Sequence, residues 1–321
     1  MQLAIIGAGK IVKEFLPISS QIPNLQIQAI ASTPHGEKNL HQLQDQYQIP
    51  QAYTDSNQAI NDPTVDTVYV AVPNPLHFAI SQAALLAGKN VICEKPFVTS
   101  RAEAETLEKI ALQKDLILVE AITNQYLANF FGIQQALTQI GTIRIAEFNY
   151  SQYSSRYDAF RAGTILPAFD PQQGGGALTD LNVYNIHLAV SLLGQPLDVR
   201  YFPNRQRHID TSGILQLTYP QAQCVCIAAK DAGAPTRSLL EGEDGTIIIE
   251  GPTNSLPKFT VQIRQGTSKS YQLNKFPQKM IGEFREFERL IREHDLAAAS
   301  RAFDHSVQVL DILDQAQTNY N

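Results

Sequence analysis

The chain has 321 residues, enough for one large or two ordinary domains with a sizeable buried core. Hydrophobic residues make up 44%, charged residues 17%, and the formal net charge is −6, a balance that argues against nucleic acid or an anionic membrane as an obligatory partner. No apolar run is long enough to span a bilayer, the start carries no basic leader segment, and three cysteines are too few for a disulfide framework, so a reduced, cytoplasmic protein is expected.

In chain order, QLAIIG (2–7) reads as a buried strand and IVKEFLPIS as a helix. LQIQAIAS (25–32) is a second strand, HGEKNLHQLQDQYQ a helix, and TVDTVYVAVP (64–73) another strand. HFAISQAALLAGK is helical, with Gly88 and Lys89 as its stop. NVICEKP is a strand, RAEAETLEKIALQK a helix and LILVEA (116–121) a last short strand. Such alternation predicts a parallel, doubly wound sheet covered on both faces, ending near Ala121. From Gly141 the runs GTIRIAEFNYSQY, GILQLTYP, QCVCIAAK, TIIIEGP and FTVQIRQG are separated by turns, which predicts a largely antiparallel open sheet. GALTDLNVYNIHLAVSLLG, IGEFREFERLIREHD and SVQVLDILDQAQ are helices. The expected division is a Rossmann domain over 1–121 and an α+β domain over 122–321. Cys224 and Cys226 fall on one strand and are expected on opposite faces.

IIGAGKIV sets Gly7 and Gly9 between a strand and a helix that opens with Lys10 and Ile11. Gly7 permits a tight turn, and Gly9 lets the backbone approach a pyrophosphate on the helix N-terminus. Val12 stands where the pattern usually has glycine or alanine, which predicts slightly wider helix–strand spacing. The second strand ends in Ser32 and Thr33 without an acidic residue to grip a ribose, with Lys38 nearby, which tilts the cofactor from NAD toward NADP. The seven histidines are scattered and pair with no second ligand, so no metal site is expected.

IIGAGKI, VYVAVPNPLHFAISQAALLAGKNVICEKPFV, GGGALTDLNVYNIHLAVSLLG and EGEDGTIIIEGP together resemble the Gfo/Idh/MocA family of NAD(P)-dependent oxidoreductases, in particular its tyrosine-bearing subgroup of dihydrodiol and xylose dehydrogenase-like enzymes. The resemblance implies a Rossmann domain joined to a largely antiparallel C-terminal domain, and hydride transfer between a nicotinamide and a CH–OH group of a sugar, cyclitol or related polyol. Lys95 lies at the carboxyl end of a parallel strand, where such sheets bind ligands, and Pro96 restricts its backbone to extended geometry. Its ammonium can stabilise charge developing on a substrate oxygen, the role assigned to the matching family lysine. Glu94 is placed to orient it and belongs to the expected cofactor set.

Asp180 and Tyr184 are four apart on one helical face. By resemblance the aspartate orients substrate and Tyr184 supplies the acid/base, with His187 the rival base or a substrate contact. A phenol with an ordinary pKa near 10 needs a close cation such as Lys95 to act near neutrality, so the two tips are expected to converge on one substrate oxygen. Relatives contact the nicotinamide side with the loop holding Pro73, Asn74 and His77, and Asn124, Arg156 and Arg161 are candidate substrate contacts. Asn182 replaces the usual glycine of the D-x-G motif and is expected to alter backbone freedom or crowd the pocket. Two other functions stay open: a catalytically silent nucleotide-binding regulator and a glycosidase using NAD for transient oxidation. An open sheet face also predicts a homodimer or homotetramer through the C-terminal sheet.

Overall fold

The computed structural model of the protein describes residues 1–318, and its first third forms one parallel sheet. The strands are β1 (Gln2–Ile6), β2 (Gln26–Ala31), β3 (Gln51–Tyr53), β4 (Thr67–Val70), β5 (Asn90–Glu94) and β6 (Leu118–Ala121), in the spatial order β3-β2-β1-β4-β5-β6. Crossovers run through α1 (Lys10–Phe15), α2 (Glu37–Tyr47), α3 (Ser56–Ile60), α4 (His77–Leu86) and α5 (Arg101–Gln113). Leu3, Ala4, Ile5, Val68, Tyr69, Val70, Val91, Ile92 and Cys93 are all fully buried, as continuous apolar strands covered on both faces must be. The helix expected over IVKEFLPIS stays α-helical only to Phe15 and tightens into a 3₁₀ turn over Leu16–Gln21, where Pro17 has no N–H to continue the ladder. β3 and α3 were not legible in the sequence: three residues are too few to show a period of two.

Tertiary packing divides the described chain into Met1–Ile122 with Met280–Val307, and Thr123–Lys279 with residues 308–318. The helix Met280–Glu293 accounts for the returning segment, since Met280, Ile281, Phe284, Phe287 and Leu290 form its buried stripe. Phe284 packs 4.2 Å from Phe15 and 5.0 Å from Tyr69, ring to ring. Burial of each such side chain contributes about 1.5–3 kcal/mol.

The second unit is built on eight strands: β7 (Ile143–Ser151), β8 (Asp198–Gln206), β9 (Ile209–Thr218), β10 (Gln223–Ala229), β11 (Arg237–Gly242), β12 (Gly245–Glu250), β13 (Lys258–Ile263) and β14 (Ser268–Tyr271). Their order is β14-β13-β12-β11-β7-β10-β9-β8. Every described pairing is antiparallel except β7 with β10, which is parallel. β8, β11 and β14 are not legible in the sequence: β8 carries Pro203 and a polar tail, the apolar pair of β11 shows no alternation, and β14 is short and polar. One face is covered by α6 (Ala128–Ala136) and α8 (Val183–Leu193), whose Phe130, Ile133, Val183, Ile186 and Ala189 join Phe148, Leu215, Leu217 and Ile247 in the core. On the opposite face Phe202, Ile214 and Ile145 are exposed. Cys224 and Cys226 do not face opposite ways: two residues is one full pleat repeat, both are fully buried, and their Sγ atoms lie 4.0 Å apart. Among the described residues no helix is long and apolar enough to cross a membrane.

Candidate active site

At the end of β1, Gly7 adopts φ +126°, and a Cβ there would sit 2.1 Å from the carbonyl oxygen of Ala71. Only glycine makes this turn. Gly7 N donates to Ala31 O at 2.8 Å, tying the turn to β2, and Asn39 from α2 donates to Ala8 O at 2.9 Å. Gly9 precedes α1 with open space beside it and no side-chain cap, so the first-turn amides of Lys10 and Ile11 are left for an anion. Lys10 points to solvent and pairs with Glu14 at 3.7 Å, whereas Val12 is fully buried in the core. Ser32 and Thr33 follow β2, the strand next to β1, and no carboxylate stands between Ser32 and Gly36. An uncapped amide end behind a glycine turn fits a dinucleotide phosphate.

The Lys95 turn is held by its backbone. The ring nitrogens of the fully buried His77 lie 3.0 Å from Pro96 O and 2.9 Å from Val72 O. Phe97 N donates to Glu120 Oε1 at 2.9 Å, and Cys93 Sγ approaches Phe97 O at 3.5 Å. The Lys95–Pro96 peptide is cis. His77 therefore braces this turn from inside the fold; burial holds its ring below the ordinary histidine range. Burial pushes the Glu120 carboxyl up to about 7. Glu94 accepts from Tyr69 Oη at 2.5 Å, which anchors its carboxylate to the sheet; burial, then this carboxylate, push the Tyr69 phenol well above its ordinary range. Pro73 and Asn74 lie in the loop after β4, with Pro73 exposed and Asn74 half-buried.

In the second unit, Asp180 belongs to a π-helical turn, Leu178–Asn182, that leads into α8. Its Oδ2 accepts from Lys230 Nζ at 2.8 Å; Lys230 is 2% exposed and the Asp180 side chain 38%. Tyr184 is half-buried, its ring centroid 5.8 Å from that of Tyr150 and its face 5.8 Å from Lys279 Nζ. Beneath it runs a buried amide network. Asn124 donates to Tyr184 O at 2.9 Å and Thr253 O at 3.2 Å. Thr253 Oγ1 donates to Asn185 Oδ1 at 2.7 Å, Asn185 donates to Asn182 Oδ1 at 2.7 Å, and Asn182 to Cys226 O at 3.1 Å. Asn124, expected at the substrate, is fully buried and supports the backbone of Tyr184 instead. Asn182 needs no glycine freedom, since its φ is −68°, and its side chain serves the network without crowding an open space. His187 is fully buried within α8, so no part of it reaches solvent. Arg156 and Arg161 are exposed at the ends of α7 (Tyr157–Arg161), and Arg161 lies 3.9 Å from Asp158. Lys230 was missed because it closes the apolar run QCVCIAAK like any strand-end lysine; only its burial marks it.

The family described as "Oxidoreductase family, NAD-binding Rossmann fold" matches residues 1–121, and "GFO/IDH/MocA C-terminal domain" matches residues 136–248. The chain is 31% identical to scyllo-inositol 2-dehydrogenase (NADP(+)) IolU of Bacillus subtilis (strain 168) over 318 residues, covering 99% of this chain and 96% of that one. It is 25% identical to D-xylose 1-dehydrogenase (NADP(+)) of Hypocrea jecorina, over 98% of this chain and 85% of that one. The fold is also that of KijD10, a 3-ketoreductase from Actinomadura kijaniata solved with NADP and TDP-benzene: TM-score 0.87 at 21% identity, covering 99% and 97% of the two chains.

Proposed function

The chain belongs to the Gfo/Idh/MocA family of NAD(P)-dependent oxidoreductases, and from that premise we propose that it interconverts a secondary alcohol and a carbonyl on a cyclitol, sugar or related polyol, with NADP preferred over NAD. The bound nicotinamide supplies or takes the hydride. The glycine turn Gly7–Gly9 with Lys10 and Ile11 would hold the pyrophosphate, and Ser32 and Thr33 would serve the adenosine ribose, where the missing carboxylate would tolerate a 2′-phosphate. Lys95 offsets negative charge on the carbinol oxygen, Tyr184 moves its proton, and Asp180 orients a substrate hydroxyl. The observation that carries this reading is the Lys95 turn: buried His77, Glu120 and Cys93 hold the backbone of Pro96 and Phe97 just past the end of β5. So much buried polar structure around one strand-end lysine is what a preorganised charge requires.

The names of the relatives supply the substrate class: an inositol and a pentose, both polyhydroxylated and uncharged. The test is a panel of inositols, aldoses and polyols with NADP and NAD, followed by absorbance of the reduced nicotinamide. Turnover with a polyol is expected, falling roughly 10²–10⁴-fold in Tyr184→Phe. Unchanged turnover in that variant removes Tyr184 from the proton step, and free sugar released from a glycoside with no net cofactor change points to the glycosidase reading. We further infer a cytoplasmic homodimer or homotetramer formed through the open sheet face bearing Phe202, Ile214 and Ile145. Light scattering that returns a clean monomer rules this assembly out.

A further inference from the structure

Lys230 is a buried cation to which the reading above gives no part in the reaction. Its ammonium donates to Asp180 Oδ2 and to Ala168 O, and lies 4.8 Å from the ring centroid of Phe169. It thus ties the loop 167–170 to the π-helical turn that carries Asp180. A second buried group holds the same turn. Asp210 Oδ2 accepts from Leu178 N at 2.7 Å and from Tyr201 Oη at 2.7 Å, and a Cβ on Gly176 would lie 2.1 Å from Asp210 Oδ1. The turn is therefore clamped at Leu178 and again at Asp180, by ionisable groups drawn from two different strand ends.

A buried ion pair is a weak stabiliser in its own right, because desolvation offsets most of the Coulomb gain, and an apolar side chain of equal length fills such a site about as well. What an ammonium does and a methionine cannot is hold a carboxylate in one orientation. The pair is lopsided in the way a positioning device requires: the cation is sealed in while the carboxylate remains partly open to solvent. We propose that Lys230 is a positioning residue for polyol recognition, fixing the Asp180 carboxylate and the 167–170 loop in the arrangement that receives a substrate hydroxyl. This rests on the role given to Asp180 in the preceding section.

The experiment is a double-mutant cycle on the full-length protein, using the polyol with the highest turnover in the panel and NADP as the second substrate. Lys230→Met and Asp180→Asn are each expected to raise KM for the polyol roughly ten-fold or more, equivalent to about 1.4 kcal/mol, while KM for NADP stays put. The double variant is expected to be no worse than the weaker single variant, because both act through one carboxylate. Where Lys230→Met does not fold, Lys230→Gln keeps a donor toward Ala168 O without the charge and carries the same expectation. An unchanged polyol KM in the folded Lys230 variant overturns the proposal, as do two effects that simply multiply. If Asp180→Asn leaves polyol kinetics intact, or no polyol turns over at all, the reading of the site itself fails and the proposal goes with it. If Asp180→Asn acts and the Lys230 variant does not, only the positioning role is lost.

Discussion

The two units hold their candidate residues by different means. In the first, the candidates lie at strand ends and are set by local backbone: a positive-φ glycine after β1, an uncapped helix start, and a lysine in the braced turn just past β5. In the second, they are side chains held by polar contacts between segments far apart in the chain, such as Asn124 with Tyr184, Thr253 with Asn185, and Lys230 with Asp180. Local geometry leaves a mark in local sequence. Long-range hydrogen bonding does not, because an asparagine reads the same whether it caps a turn or sustains a core.

Gly7→Ala strikes the first mode hardest. Strain at φ +126° and collision with Ala71 O are expected to cost about 3 kcal/mol in urea unfolding and to abolish the fluorescence enhancement of NADPH on binding. A variant that still bound NADPH normally would detach the glycine turn from cofactor recognition.

Glu120 comes next. Its folded-state carboxyl titrates near 7 against an unfolded value near 4.5, so the stability it contributes is fully present below pH 4.5 and is lost as pH rises through 7. Glu120→Gln keeps an acceptor for Phe97 N without the charge. It is expected to gain on the wild type by up to roughly 2–3 kcal/mol between those pH values, measured by denaturation at a series of pH. Parallel pH curves for the two proteins would show that the buried carboxyl titrates as it does when unfolded.

The second mode is tested by Asn124→Ala. Leaving Tyr184 O and Thr253 O without this donor is expected to cost about 1–3 kcal/mol of stability and to lower kcat, with cofactor affinity unmoved. If NADPH affinity fell as well, the separation drawn between the two modes would be too sharp. Smallest is Ser32→Asp, where a carboxylate facing the adenosine ribose is expected to shift preference from NADP toward NAD by about ten-fold, or ~1.4 kcal/mol. An unchanged ratio of kcat/KM for the two cofactors would place 2′-phosphate recognition elsewhere.

Read from sequence alone, strand–helix alternation carried the parallel, doubly wound character of the first sheet, because buried parallel strands are continuous apolar runs and crossover helices have their own period; the strand order and the short β3 came only with the structure. Gly7 was legible in its strand–turn–helix pattern, whereas Lys95, Asp180 and Tyr184 stood out as candidates through the family resemblance joined to a strand-end position and a four-residue helical spacing. Tertiary structure alone decided the rest. Asn124 and His187 went to the interior, His77 to bracing a loop, and residues 280–307 to the first unit through the ring of Phe284. Lys230 became the partner of Asp180, fifty residues away. These outcomes depend on which groups a folded chain removes from water, and desolvation is a property of the assembled packing that no short window of sequence contains.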